Sequence, residues 1–218
     1  MRFLLGLVLF VVGLQLSGFA YGQTFEQALD AYERKDYKIA FAAFMKLAKG
    51  GDQVDAADSP KDEQQAVDWY RKAAEQGDAH AQYILGQMYF DGRGVPQDDR
   101  QAEAWYRKAA QQGYASAQVN LGLMHVTGRG VAKDDHQAVV WLRKAADQGN
   151  AYGQHGLGLL YMIGRGVPKD AELAYFWLLL SSAQGHQEAA KKRALIEPTL
   201  SPQMRAKAKA YAKAWKPH

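Results

Sequence analysis

Six histidines, His80, His125, His136, His155, His186 and His218, are the first candidates for chemistry in this chain. None stands in an H-E-x-x-H arrangement or a comparable metal-ligand spacing. His125 falls where Tyr89 and Tyr161 fall in neighbouring copies of a repeat, so it reads as a core substitution. The few serines form no G-x-S-x-G and no S-x-x-K, the settings that activate a hydroxyl nucleophile. Carboxylates sit mostly at helix starts, where capping and the helix dipole account for them. The recurring Gly-Arg-Gly has no strand before it and no P-loop lysine after it, so it reads as a structural turn. The chain has no cysteine, which excludes disulfides, thiolate catalysis and zinc–thiolate clusters. The residues make no case for an enzyme, and neither a metal nor a cofactor is expected.

Charge narrows the partners. The formal net charge is +4 and the sequence pI about 9.1, with the basic residues spread through the repeats. That mild excess does not argue for nucleic acid. A basic pair recurs as Arg71/Lys72, Arg107/Lys108 and Arg143/Lys144. An anionic ligand could use such a ladder, but a solvated outer face paired with Asp and Glu is the simpler reading. The basic stretch 205–216 could touch anionic lipid or cell-wall polymer, although its aromatic face is accounted for by capping a core.

The start, "MRFLLGLVLFVVGLQLSGFAYGQ", places Arg2 before an apolar run over residues 3–16. Ala20 and Gly22 then occupy the −3 and −1 positions before Gln23, the layout of a cleaved signal peptide. The expectation is a protein exported to the periplasm; an uncleaved inner-membrane anchor facing the periplasm is the alternative. The remainder contains no transmembrane run, so no stable insertion is expected once the signal is removed.

The elements that position these residues repeat. Trp69, Trp105, Trp141 and Trp177 are spaced by 36 (105−69, 141−105, 177−141), and Gly77, Gly113, Gly149 and Gly185 keep the period. Such self-similarity marks a solenoid of helix pairs. In "DRQAEAWYRKAAQQG", Ala102, Trp105, Tyr106 and Ala109 form one helical stripe. Asp98/Gln101, repeated as Asp62/Gln65 and Asp134/Gln137, looks like a capping box, and Gly113 closes the helix. The partner helix "AHAQYILGQMYF" offers Ala81, Leu85, Met88 and Tyr89 to the core, with Gly86 at a close helix–helix approach. In "GRGVPQD", glycines allow the turn, Val95 plugs it and Pro96 stops the helix.

The pattern A-x-A-Q-x-x-L-G-x-M-Y…G-x-G-V-x-x-D…A-x-x-W-Y-x-K-A-A-x-x-G resembles the Sel-1-like repeat, a relative of the tetratricopeptide repeat. The resemblance covers about residues 62–185 and implies an all-α, right-handed α/α superhelical solenoid that binds proteins or peptides. Some cysteine-rich relatives are associated with β-lactam binding or hydrolysis. This chain lacks their cysteines and a serine–lysine nucleophile. The organisation expected is a signal peptide at 1–22, a tetratricopeptide-like helix pair at 23–52 and a linker or stunted helix at 53–61. Repeats follow at 62–186, with full copies from about 78, 114 and 150, then capping helices at 187–218. Ser201 and Pro202 start the final cap, with Met204, Ala208, Tyr211 and Trp215 as its inward face.

Copies agree at Ala81/Ala117/Gly153, Gln82/Gln118/Gln154, Leu85/Leu121/Leu157 and Gly86/Gly122/Gly158. They differ at His80/Ser116/Tyr152, Ile84/Asn120/Gly156, Gln87/Leu123/Leu159 and Asp91/Thr127/Ile163. At ~100° per residue the differing positions lie within about 60° of one another, turned away from the core stripe. A mixed apolar and polar groove there suits a peptide whose side chains bury while its backbone hydrogen-bonds. The alternative is that some of these residues pack on the adjacent repeat. The function expected is a non-catalytic periplasmic interaction scaffold for a protein or peptide. The alternatives are a cell-wall-related small-molecule binder or β-lactamase-like enzyme, and a binder of a host or surface protein.

Overall fold

The 36-residue period becomes a stack of helix pairs in the computed structural model, which describes residues 60–217 together with Ala31 and Arg34. Two units, Met1–Glu63 and Gln64–His218, divide the chain, and the helices below belong to the second apart from the start of α1. The expectations for 1–22, for 23–52 and for 53–59 of the linker lie outside the described residues. Among the described residues all regular elements are helical. The outer helices are α1 (Pro60–Glu75), α3 (Asp99–Gln111), α5 (Asp135–Asp147) and α7 (Ala171–Ala183). Between them lie the inner helices α2 (Ala79–Asp91), α4 (Ala115–Thr127) and α6 (Ala151–Ile163). Then come α8 (Gln187–Ile196), a 3-10 turn (Glu197–Thr199) and α9 (Pro202–Ala214).

Asp98, Asp134 and Asp170 cap the outer helices: the Asp98 carboxylate accepts from the Arg100 and Gln101 backbone at 2.9 and 3.0 Å. The reciprocal arm of a capping box is not made. The Asp98 N–H donates to the Tyr89 carbonyl at 2.9 Å, and Asp134 N–H to the His125 carbonyl at 3.0 Å, which ties each cap to the preceding helix instead. Asp62 lies inside α1, which begins at Pro60, rather than before its first turn.

In the outer stripe Ala102, Tyr106 and Ala109 are at most 1% exposed. Trp105 departs from the expected stripe. It is half-buried, with the Lys108 ammonium 3.8 Å above its ring. Trp141 (6% exposed) packs into the Tyr106 cluster, and Trp177 (4%) is covered by Phe176 and Trp215. One letter of the repeat therefore buries to different depths along the stack. On the inner side, a methyl at Gly122 would stand 2.6 Å from Leu142 Cγ, the close approach that the small residue permits.

Two polar columns tie successive pairs. Gln82, Gln118 and Gln154 are buried, and each donates to a carbonyl at the end of the preceding outer helix, that of Ala74, Ala110 or Ala146. Each in turn accepts from a glutamine one repeat on: Gln112 to Gln82, Gln148 to Gln118 and Gln184 to Gln154, at 2.8–2.9 Å. A buried amide satisfied on both sides fixes register as well as adding stability. The turn arginines form the second column. Arg129 donates to Asp99 Oδ2 at 2.8 Å and to the Phe90 carbonyl at 3.0 Å, while its guanidinium stacks 3.6 Å over the Phe90 ring. Arg165 repeats the arrangement on Asp135 and the Val126 carbonyl.

At the C-terminal end Ser201 Oγ accepts from the Met204 N–H at 3.2 Å, with Pro202 in the first turn of α9. Ala208 is fully buried, and Met204, Ala212 and Trp215 pack on the core. Tyr211 does not join them. It is 59% exposed, and Ala212 stands inward in its place. No described helix is long and apolar enough to cross a membrane.

Candidate functional site

On the inner helices the positions on which the copies agree lie deeper than those at which they differ. Ala81, Leu85, Ala117, Leu121 and Leu157 are fully buried. None of the four differing positions is buried in any copy. Tyr152 (67%), Ile163 (51%) and Leu123 (47%) are widely exposed, as are Asp91 and Thr127. His80, Ile84, Gln87, Ser116, Asn120, Gly156 and Leu159 are half-buried. Gly156 is half a packing residue, because a side chain there would meet Leu142 Cδ2 at 3.0 Å. Within the stack α4 packs on α6, and α6 on α8, more closely than the outer helices α3, α5 and α7 approach one another, where Arg143 of α5 lies over the Trp177 ring of α7 at 5.9 Å. The inner row is thus the tighter one, the side on which a solenoid curves inward.

Hydrogen bonds and rings organise this face. The His80 ring nitrogen Nδ1 lies 2.8 Å from the Tyr114 hydroxyl, and Gln87 Nε2 donates to the Tyr83 hydroxyl at 2.9 Å. The Tyr83 and Tyr114 rings are 5.0 Å apart. Two repeats on, Tyr152 meets His186 edge-on at 4.8 Å, and His155 lies 4.5 Å from the same ring. His186 Nδ1 accepts from the Ala189 N–H and so caps α8. Burial pushes the Tyr106 hydroxyl well above its ordinary range, partly offset by a hydrogen bond from Asn120. Burial also raises Tyr83, with the neighbouring Tyr114 adding to it. The His155 imidazole is held below its ordinary value by burial first and by His186 second. These groups offer aromatic faces, an amide and imidazoles for hydrogen bonding, and aliphatic anchors. They do not form a nucleophile–base pair.

Sequence reasoning missed part of this face. Tyr83, Tyr114, His155 and His186 belong to it, and so does Leu195, which is 68% exposed. Leu195 continues the row of Leu123 and Leu159 at the same spacing (159−123 and 195−159 are both 36). Extending the period one helix further was the available signal; the loss of the Leu-Gly pair in α8 hid it.

The outer ladder is tied to the fold itself. Arg71 donates to Asp68 at 3.1 Å and to the Tyr89 hydroxyl at 3.2 Å, and Arg107 donates to Glu103 at 2.6 Å. Arg143 donates to the Tyr161 hydroxyl, and Lys144 stacks 4.5 Å over Trp141. Among the described residues no three His, Asp or Glu side chains are grouped to hold a metal ion.

An all-helical stack of 36-residue pairs, stapled by glutamine and arginine columns and leaving one inner face free, defines a repeat scaffold. The Sel1 repeat family matches residues 54–78, 79–114, 115–150 and 151–186, and the chain belongs to that family. Proteins of this family generally act as protein–protein interaction scaffolds and are typically non-enzymatic. A solved Sel1 repeat protein from Oxalobacter formigenes is 32% identical, with a TM-score of 0.59 over 78% of this chain and 74% of that one. A protective antigen of uropathogenic Escherichia coli with an SLR fold is 27% identical, with a TM-score of 0.51 over 89% of this chain. This chain spans about half of that antigen, 53% of its length. No curated protein matches the chain.

Proposed function

We propose that this chain is a non-catalytic, exported scaffold of the periplasm that binds an extended peptide or a protein segment along its inner-helix face. The observation that carries the reading is the split between buried framework positions and accessible differing ones on the same helices. Exposed positions drift freely, but the large apolar side chains left open on this face, Leu123 at 47% and Ile163 at 51% exposure, suit contact with a partner. Leu123, Leu159 and Ile163 supply apolar anchors, and Asn120, Gln87 and His80 supply hydrogen-bonding groups beside them. Affinity in such a groove comes from a few desolvated anchors rather than from the whole surface. Export rests on the N-terminal layout of Arg2, the apolar run and Ala20/Gly22.

Capture of partners from periplasmic extract tests the proposal. Asn120→Asp with Leu123→Glu should lower capture about tenfold or more while the far-UV circular dichroism stays that of the wild type. Lys108→Glu with Lys144→Glu should change the salt dependence alone. Normal capture by the inner-face variant, together with failure of the outer-ladder variant, would refute the assignment.

A further inference from the structure

Residues 186–218 hold six lysines and two arginines against two glutamates, a net of +6, which leaves −2 for residues 1–185 because the whole chain carries +4. The even spread seen in the repeats therefore does not extend to the C-terminal cap. Helix α9 has no acidic residue. Its apolar side is spent on the core through Met204, Ala208 and Ala212, with Trp215 following just beyond its end. What it turns to solvent is a strip of exposed alanines, Ala206, Ala210 and Ala214, at i, i+4 and i+8. Exposed Lys209 and Lys213 border the strip on one edge, and Lys207 and Tyr211 on the other. Lys207 and Lys209 reach Glu172 and Glu197 at 2.7 and 3.6 Å, while Lys213 has no ion-pair partner among the described residues.

We propose that this outer face of α9 docks the protein, without insertion, on an anionic phospholipid surface. Charge complementarity selects the sign of the partner, and the residue types select its kind. Lysine is a hydrated point charge suited to diffuse attraction, whereas paired recognition of single phosphates favours the arginine fork. An alanine strip edged by lysines and a tyrosine can settle at a headgroup boundary while the ammonium groups snorkel outward. Binding of an acidic protein to this face is the alternative that the polyglutamate arm below reads.

The absence of cysteine lets a single label report the contact. Full-length Ala210→Cys carrying an environment-sensitive fluorophore is mixed with phosphatidylglycerol/phosphatidylcholine vesicles and with pure phosphatidylcholine vesicles. Emission should shift to the blue on the anionic vesicles only, and the shift should fade as salt shortens the screening length. The apolar residues near the N-terminus act alike on both vesicle types, so the difference isolates charge. Lys209→Gln with Lys213→Gln should weaken anionic-vesicle binding about fivefold per lysine, roughly 25-fold for the pair. Lys108→Gln with Lys144→Gln should not. Equal response to both vesicle types, equal loss in the two lysine pairs, or a shift given by polyglutamate and not by vesicles would each overturn the proposal.

Discussion

Gly113 and Gly130 have left-handed backbones, φ 88° and 72°, yet substituting them should have very different consequences. A methyl at Gly113 meets nothing within 4 Å. Gly113→Ala then costs only the left-handed conformation, partly offset by a stiffer unfolded chain, a net of about 1 kcal/mol. At Gly130 the same methyl would stand 2.3 Å from the Asp99 carbonyl oxygen and 2.9 Å from Met124 Cε. The backbone cannot yield as a side-chain end can. The turn must therefore retreat from α3, straining the Arg129 bonds to Asp99 and the Phe90 carbonyl. Overpacking of this kind adds roughly 2–3 kcal/mol, for a total near 3–4 kcal/mol. At about 2–4 °C per kcal/mol for a unit of this size, Gly113→Ala should lower Tm by about 3 °C and Gly130→Ala by about 10 °C. Urea unfolding followed by far-UV circular dichroism gives the free energies directly. Equal losses for the two variants would refute the claim that the second turn glycine is held by close approach.

Three further outcomes follow from the packing. Trp177→Ala should cost about 3–5 kcal/mol and Trp105→Ala only about 1–2 kcal/mol, because one ring is enclosed and the other half-exposed; equal losses in urea unfolding would contradict those depths. His125 is 7% exposed with neither ring nitrogen hydrogen-bonded, where Tyr89 and Tyr161 accept from Arg71 and Arg143. His125→Tyr should offer Arg107 the same partner and stabilise by about 1 kcal/mol, and a lower Tm would refute this. Because the folded His155 imidazole is depressed, its contribution to stability is full above the ordinary value of 6.5 and is lost as pH falls through the folded value. Melting between pH 7.5 and 5 should fall more steeply for the wild type than for His155→Gln, and parallel curves would show that this imidazole is not the cause.

The repeat made the architecture legible because a 36-residue period constrains every copy alike. Each period must bury Ala, Leu and Tyr on one stripe and must end each helix with glycine, so register, turn and core follow from spacing. The free face was legible for the same reason in reverse: residues released from packing are those whose identity drifts between copies. Spacing could not say how deep a repeated residue sits. Trp105 and Trp177 occupy one letter of the pattern, but Trp177 alone has Trp215 from the cap beside it, and that neighbour is distant in sequence. Nor could spacing show that Gln112 reaches Gln82, that Arg129 staples its turn to Asp99 and Phe90, or that Tyr211 faces outward. Those outcomes depend on which atoms a neighbouring helix brings within hydrogen-bonding or van der Waals reach. The sequence alone determined the period, the helix pairs and the accessible stripe, since these rest on local propensity and burial pattern. The tertiary structure alone decided the depth of each ring, the columns between repeats and the face turned outward by α9, since these rest on contacts between residues 30 or more positions apart.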